Sequence, residues 1–161
     1  MSDSRGICIK RASAENAGSL SDLRRQFWRD QQASGLLEIP PDCTEHAILK
    51  LIDRPRTHVM VAENLAGELK GYLFGQTKFV PGTTPVTISS VEEVYVPESS
   101  RGEGIAAHLA EAAVKAFRED GADRIQLRVL DANEGGSAFW RKIGFQPYLT
   151  VYELVTADAT A

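Results

Sequence analysis

The residues of this chain best suited to chemistry lie in the run Arg101-Gly102-Glu103-Gly104-Ile105-Ala106. The run follows a strand-like stretch, Val91-Glu92-Glu93-Val94-Tyr95-Val96, and opens a helix-like stretch that continues to about Glu119. A strand, a glycine-bearing loop and a helix N-terminus together suit a phosphate. The first turn of a helix carries N–H groups with no intrahelical partner, and the positive end of the macrodipole adds to them. Glycine lets the backbone approach an anion because no Cβ stands in the way. Arg101 can add a charge-assisted contact. The same two glycines also serve as plain turn chemistry. The loop lacks the third glycine of the dinucleotide fingerprint and the Gly-Lys-Ser/Thr of a P-loop. A pyrophosphate-bearing ligand and a mere turn are thus the two readings of this loop taken alone.

A second segment lies 32 positions on, Asn133-Glu134-Gly135-Gly136-Ser137-Ala138-Phe139-Trp140-Arg141-Lys142-Ile143-Gly144-Phe145. It reads as a loop, a short helix and a glycine stop. The two segments together resemble the GCN5-related N-acetyltransferase (GNAT) superfamily. The first is similar to its Arg/Gln-x-x-Gly-x-Gly/Ala pyrophosphate loop, with Ala106 in the last place. The second is similar to its Asn-x-x-(x)-x-Ala-Φ-aromatic-x-x-Φ-Gly-Phe segment, where Φ is apolar. The likeness in order and spacing covers roughly residues 5 to 155.

The resemblance implies acetyl-CoA, or another acyl-CoA, as co-substrate; no metal is expected, because Cys8, Cys43, His46, His58 and His108 do not cluster in sequence. The amides of Gly102, Glu103, Gly104, Ile105, Ala106 and Ala107, with Arg101, would cradle the pyrophosphate. Backbone groups of Val94, Tyr95 and Val96 would pair with the pantetheine arm like an added strand. Asn133 matches the family asparagine that contacts the cofactor, and it also suits a helix N-cap. Glycine costs about 1 kcal/mol inside a helix, so the Gly135-Gly136 pair either delays the helix start, the favoured reading, or lets the backbone pass close to the cofactor.

Acetyl transfer to an amine needs a base, an oxyanion donor and an outlet for the thiolate. Glu92 and Glu93 are the candidate bases, with Glu92 favoured. Adjacent strand residues face opposite ways, so only one should face the cleft unless the strand bulges. The Val94 N–H is the family-style oxyanion donor. Trp140 stands where many relatives carry a tyrosine acid. An indole N–H does not titrate usefully, so Trp140 either walls the cleft or packs beside Phe139. Tyr148, Tyr152 and Tyr95 are substitute acids, and the thiolate can also leave to water.

The elements that must position these groups follow from pattern. Residues 6–11 read as a strand with Cys8 in the core. Ser13 caps a helix carrying Leu20, Leu23, Phe27 and Trp28 and ending near Gly35. A second helix spans about 42–53. In GNAT proteins such helices line the acceptor site. Strands follow at 57–63, 70–77 and 86–96, then the helix after Gly104, a strand at 124–130, the short helix, and a last strand from Tyr148 to Val155. The expected fold is α/β, a GNAT-like sandwich whose mixed, mostly antiparallel central sheet is splayed between the strands around 91–96 and 124–130. The whole chain, 1–161, is expected to be a single domain with its core at about 5–155.

Composition sets the outer limits. The 161 residues are 43% hydrophobic and 25% charged, with net charge −4 and pI about 5.4. That balance is ordinary for a globular domain and disfavours a general nucleic-acid binder. The basic residues Lys10, Arg11, Arg24, Arg25 and Arg29 read as a solvated helix face. Two cysteines with no leader-like segment suggest reduced thiols in a cytoplasm. No apolar run reaches membrane length. The function these features imply is acyl transfer from acyl-CoA to a primary amine of a small molecule or peptide. A non-catalytic acyl-CoA sensor of the same fold is the alternative. Glu92, Glu93, Glu38, Asp42 and Glu45 favour a cationic small amine, and a homodimer through the last strand is one candidate state.

Overall fold

The computed structural model describes residues 6–35, 40–154 and 156. Glu38 and Val155, used above, lie outside the described residues. The chain divides into a compact unit that runs to Arg128 and a second that begins at Val129.

The first unit is a five-stranded sheet in sequence order: β1 (Cys8–Arg11), β2 (Thr57–Glu63), β3 (Leu69–Val80), β4 (Val86–Tyr95) and β5 (Arg124–Leu127). The first three pairings are antiparallel and β4 with β5 is parallel. A parallel pair needs a crossover. That crossover is α3 (Ile105–Glu119). Two helices come earlier, α1 (Ala17–Ala33) and α2 (Glu45–Asp53).

Spacing explains the layers. Ala17, Leu20, Ser21, Arg24 and Phe27 are the buried residues of α1, at the three- and four-residue intervals of one helix face. Of these, Ala17, Leu20 and Phe27 pack with Ile48 of α2 on one side of the sheet, against Val59, Val61, Tyr72, Phe74 and Tyr95. On the opposite side α3 buries Ile105, Leu109, Ala110, Ala113, Ala116 and Phe117. Small residues bring that helix close. A Cβ added to Gly75 would lie 2.5 Å from the Phe117 ring. A polar clasp joins this layer to the sheet. The Arg11 guanidinium donates to His58 Nδ1. Arg has no acceptor, so His58 carries its proton on Nε2 and donates it to Asp120 Oδ2 at 2.7 Å.

Local signals mark the ends. Ser13 and Asn16 form a capping box before α1. Thr44 Oγ1 accepts the Ala47 N–H and starts α2 at Glu45, three residues later than its pattern suggests.

Cys8 is exposed rather than in the core, because Ile7, just before β1, takes the inward place. β5 stops at Leu127, short of Leu130.

The second unit contains α4 (Glu134–Ile143), ended by Gly144 at φ 112°. The strand expected from Tyr148 does not form, since residues 145–154 have no regular structure. Its apolar pattern is present, but Tyr148, Leu149, Val151, Tyr152 and Leu154 are all exposed. Propensity cannot make a strand without a ladder partner. The glycine pair does not delay the helix either, because both glycines lie inside its first turn. Gly136 instead makes room for the cap. A Cβ there would lie 2.6 Å from Asn133 Nδ2.

Candidate active site

The site centres on an irregularity in β4. Phe74 pairs with Glu93 while Gly75 pairs with Val91, so Glu92 is an extra residue on one side of the ladder. Such a bulge turns the following side chains to the other face. Before it, Ser89 joins Thr77, whose hydroxyls lie 2.7 Å apart, and Val91 pairs with Gly75 on the α3 side. After it, Glu93 and Tyr95 lie on the α1 side with Phe74 and Tyr72. Glu92 shares that side. Its Oε1 accepts from Gln76 Nε2 at 3.0 Å and from the Ser90 hydroxyl. The bulge therefore brings both carboxylates to one face.

The two carboxylates differ in surroundings. Glu92 is exposed and Glu93 is buried. Arg24 Nη2 donates to Glu93 Oε1 at 2.7 Å, and Arg24 Nε donates to both oxygens at 3.1 and 3.0 Å. Trp28 Nε1 adds a 3.3 Å contact to Oε1 and the Tyr72 hydroxyl a 2.9 Å bond to Oε2. The Arg24 guanidinium also lies 5.8 Å from the Phe74 ring centre. Burial works against the Arg24 charge, but the bonds and charge of Glu93 outweigh it and hold the guanidinium above its ordinary value. Burial, then the Glu93 charge, pushes the Tyr72 phenol well up. The Tyr95 hydroxyl donates to Asp30 Oδ2 at 2.8 Å. Burial, then that bond, pushes it up to about 12. A phenol held so high is a poor acid for a thiolate whose own pKa is about 8.5.

The backbone of β4 also changes direction at the bulge. A Cβ on Gly75 would lie 2.6 Å from Ser90 O, and one on Gly71 2.9 Å from Tyr95 O. Both carbonyls therefore face β3, although five positions separate them. One extra residue accounts for this, since strict alternation would turn them opposite ways. The Val94 N–H and C=O consequently face away from β3. The β4–β5 ladder has ended before this point, at Val91 with Leu127. Beyond Val91 no residue of β5 pairs with β4.

The glycine loop follows a short 3-10 turn at Glu98–Ser100. Gly102 and Gly104 adopt φ 81° and 77°, where a side chain is strained. A Cβ on Gly102 would meet nothing within 4 Å, so the loop is open above it. The first backbone bond into α3 is His108 N–H to Gly104 O at 3.1 Å. The amides of Ile105, Ala106 and Ala107 precede it and are the orphan donors of the helix start. Ile105 is buried, while Ala106 and Ala107 are half-buried. Arg101 and Glu103 are exposed, and Arg101 Nε donates to Val96 O at 3.0 Å, tying the loop to the end of the strand. Donors, open space and a strand edge fit the pyrophosphate and arm of an acyl-CoA.

In the second unit, Asn133 caps α4, its Oδ1 accepting the Gly136 N–H at 2.8 Å. The cap occupies that oxygen. Trp140 is buried edge-on between Phe139 and Phe145, at 5.0 and 5.2 Å between ring centres. Tyr148 is 77% exposed, and Tyr152 is exposed as well. Among the described residues, no cluster of three or more His, Cys, Asp or Glu could hold a metal ion. No described helix is long and apolar enough to cross a membrane.

Sequence reasoning missed Arg24, Trp28 and Tyr72. Arg24 is a buried ion-pair partner and no part of a solvated face. A signal was present, for Arg24 sits four residues after Leu20 and three before Phe27, on the apolar stripe itself. A cation in such a stripe requires a buried partner.

The comparisons with known proteins bear on family and fold. The model of the acetyltransferase (GNAT) family matches residues 19–145. No curated protein matches the sequence significantly. Among solved structures, a mutant of the BH1408 protein from Bacillus halodurans is similar, with TM-score 0.80 at 17% identity, over 93% of this chain and 99% of that one. An aminoglycoside acetyltransferase from an uncultured soil metagenomic sample, in complex with sisomicin, gives 0.73 at 16%, over 95% and 97%. A ribosomal-protein-alanine N-acetyltransferase from Brucella melitensis gives 0.69 at 18%, over 92% and 99%. These likenesses concern the fold. The family match covers most of the sequence, and the chain belongs to the acetyltransferase (GNAT) family.

Proposed function

We propose that the chain, acting as one domain, is an acyl-CoA-dependent N-acyltransferase that transfers an acetyl or other acyl group to a primary amine by direct attack. The bulge at Glu92 carries this reading. It puts an exposed carboxylate on the α1 side within three residues of a Val94 N–H that faces away from β3.

The loop amides from Gly102 to Ala107 and the Arg101 guanidinium bind the pyrophosphate. Val94, Tyr95 and Val96 hold the pantetheine arm through backbone groups. Glu92, directly or through a water, takes a proton from the acceptor ammonium. The amine nitrogen then bonds to the acyl carbonyl carbon, whose oxygen the Val94 N–H stabilises as charge develops. The C–S bond breaks, the nitrogen releases its second proton to water to leave the neutral amide, and the thiolate takes a proton from Tyr148 or from water. Trp140 supplies no proton, since its indole does not titrate. Glu93 is already neutralised by Arg24, which supports Glu92 as the base.

The exposed Glu92 carboxylate suits a cationic small acceptor such as a polyamine or an aminoglycoside, and the sisomicin-bound fold neighbour supports that class. A peptide amine is the second acceptor class. A sensor that binds acyl-CoA without turnover is the second reading, favoured by the packing of Trp140 at the family's acid position. Thiol release from acetyl-CoA, measured with spermidine, sisomicin and a lysine peptide, tests the proposal. Turnover with spermidine or sisomicin is expected. Acetyl-CoA binding without turnover of any amine would point to the sensor.

A further inference from the structure

The Arg24–Glu93 pair has no part in the chemistry above, and it is an expensive feature. Their side chains are 9% and 5% exposed, 69 residues apart in sequence. Withdrawing two charges from water costs several kcal/mol per ion, and apolar residues of similar size are often as stable or more so. The Arg24 guanidinium lies over the Phe74 ring, and Phe74 belongs to the same apolar core as Phe27 and Tyr95. Stability alone does not explain its presence.

Its location does. Glu93 is the first residue after the bulge, the point at which β4 changes face. Arg24 and Trp28, one turn apart on α1, and Tyr72 on β3 hold it from two elements. A strand that slipped back into strict alternation would turn Glu93 toward α3 and break all these bonds. It would also turn the Val94 N–H toward β3.

We infer that Arg24 is a positioning residue. By pinning Glu93 to α1, it fixes the bulge that presents Glu92 to the acceptor and the Val94 N–H to the acyl carbonyl. The functional half of this inference rests on the acyltransferase reading. The structural half does not.

The experiment compares wild type with the double variant Arg24→Met/Glu93→Leu, which removes both charges together and leaves neither buried alone. Tyr72→Phe, which removes one hydroxyl donor, serves as a gentler second variant. Four quantities are measured: melting temperature, acetyl-CoA affinity, turnover of spermidine or sisomicin, and hydrogen exchange of the amides from Glu92 to Tyr95. The double variant should melt within a few degrees of wild type and bind acetyl-CoA about as tightly. It should exchange the bulge amides faster and lose about tenfold or more in kcat, as misplaced reacting groups do. Tyr72→Phe should show the same signature at a few-fold. A folded double variant with wild-type exchange and wild-type kcat would overturn the inference. Should the double variant fail to fold, Tyr72→Phe decides by the same readouts, and unchanged exchange and kcat would overturn it. Should wild type neither bind acetyl-CoA nor turn over, the acyltransferase reading fails, and the exchange measurement still decides whether the pair holds the bulge.

Discussion

In the proposed reaction the loop from Arg101 to Gly104 and the bulged stretch from Val91 to Tyr95 each hold a reacting molecule in place, and they differ in what does the holding. In the loop the backbone does it. Two glycines at positive φ and the orphan amides of α3 form the cradle, and its geometry comes from six consecutive residues. In the bulge, side chains from three elements do it. Glu93 is fixed from α1 and β3, and Glu92 from Gln76 and Ser90. The loop can be damaged only by changing its own conformation. The bulge can be damaged from Arg24, far away in sequence.

This contrast orders the expected effects of substitution. Glu92→Gln should lower kcat roughly 10²-fold or more, the usual contribution of a positioned base, while acetyl-CoA affinity stays near wild type. Steady-state kinetics beside a binding titration checks both halves. If affinity and kcat fell together, the bulge and the loop would be one mechanical unit, and the contrast would be broken.

Gly104→Val should do the reverse. A β-branched residue at φ 77° is strained, at a cost of roughly 1–3 kcal/mol. Acetyl-CoA affinity should fall about tenfold or more, with a smaller change in kcat at saturating donor.

Gly136→Ala tests the second unit. The new Cβ would crowd the Asn133 side chain and loosen the α4 cap. A lost cap costs about 1 kcal/mol, read as a drop of a few degrees in melting temperature. If acetyl-CoA affinity falls as well, Asn133 has a cofactor contact beyond its cap.

The smallest effect concerns pH. The Tyr95 phenol is pushed up to about 12 in the folded chain, against about 10 for a free tyrosine. Between those values the folded state keeps a proton that the unfolded state has released. Stability should therefore fall as pH rises from about 10 toward 12. Tyr95→Phe should make part of that fall disappear, as followed by unfolding at a series of alkaline pH values.

The same contrast explains what the sequence makes legible. The cradle is encoded locally, so Gly102, Gly104 and the start of α3 can be found from spacing alone. Most strands and helices of the first unit are likewise marked by alternation, caps and glycine stops. The bulge is not, because it exists only in the register between β3 and β4. The pattern can say that two adjacent glutamates share a face only if the strand bulges, and it cannot say that the strand does. Arg24 is hidden for a related reason. Its partner lies 69 residues away, and a cation on α1 looks solvated until that partner is known. The stretch after Tyr148 has a strand's composition, but no strand forms among its described residues, because pairing is a tertiary property.

The central claim is that the open loop and the edge of β4 beyond Val91 take an acyl-CoA. Thermal unfolding with acetyl-CoA, CoA and ATP in parallel tests it most directly. At a hundred times its dissociation constant, a ligand stabilises the fold by about 2.7 kcal/mol, a shift of several degrees in melting temperature. The account predicts that shift with acetyl-CoA and with CoA, and none with ATP. No shift at millimolar acetyl-CoA, or an equal shift with ATP, would contradict it.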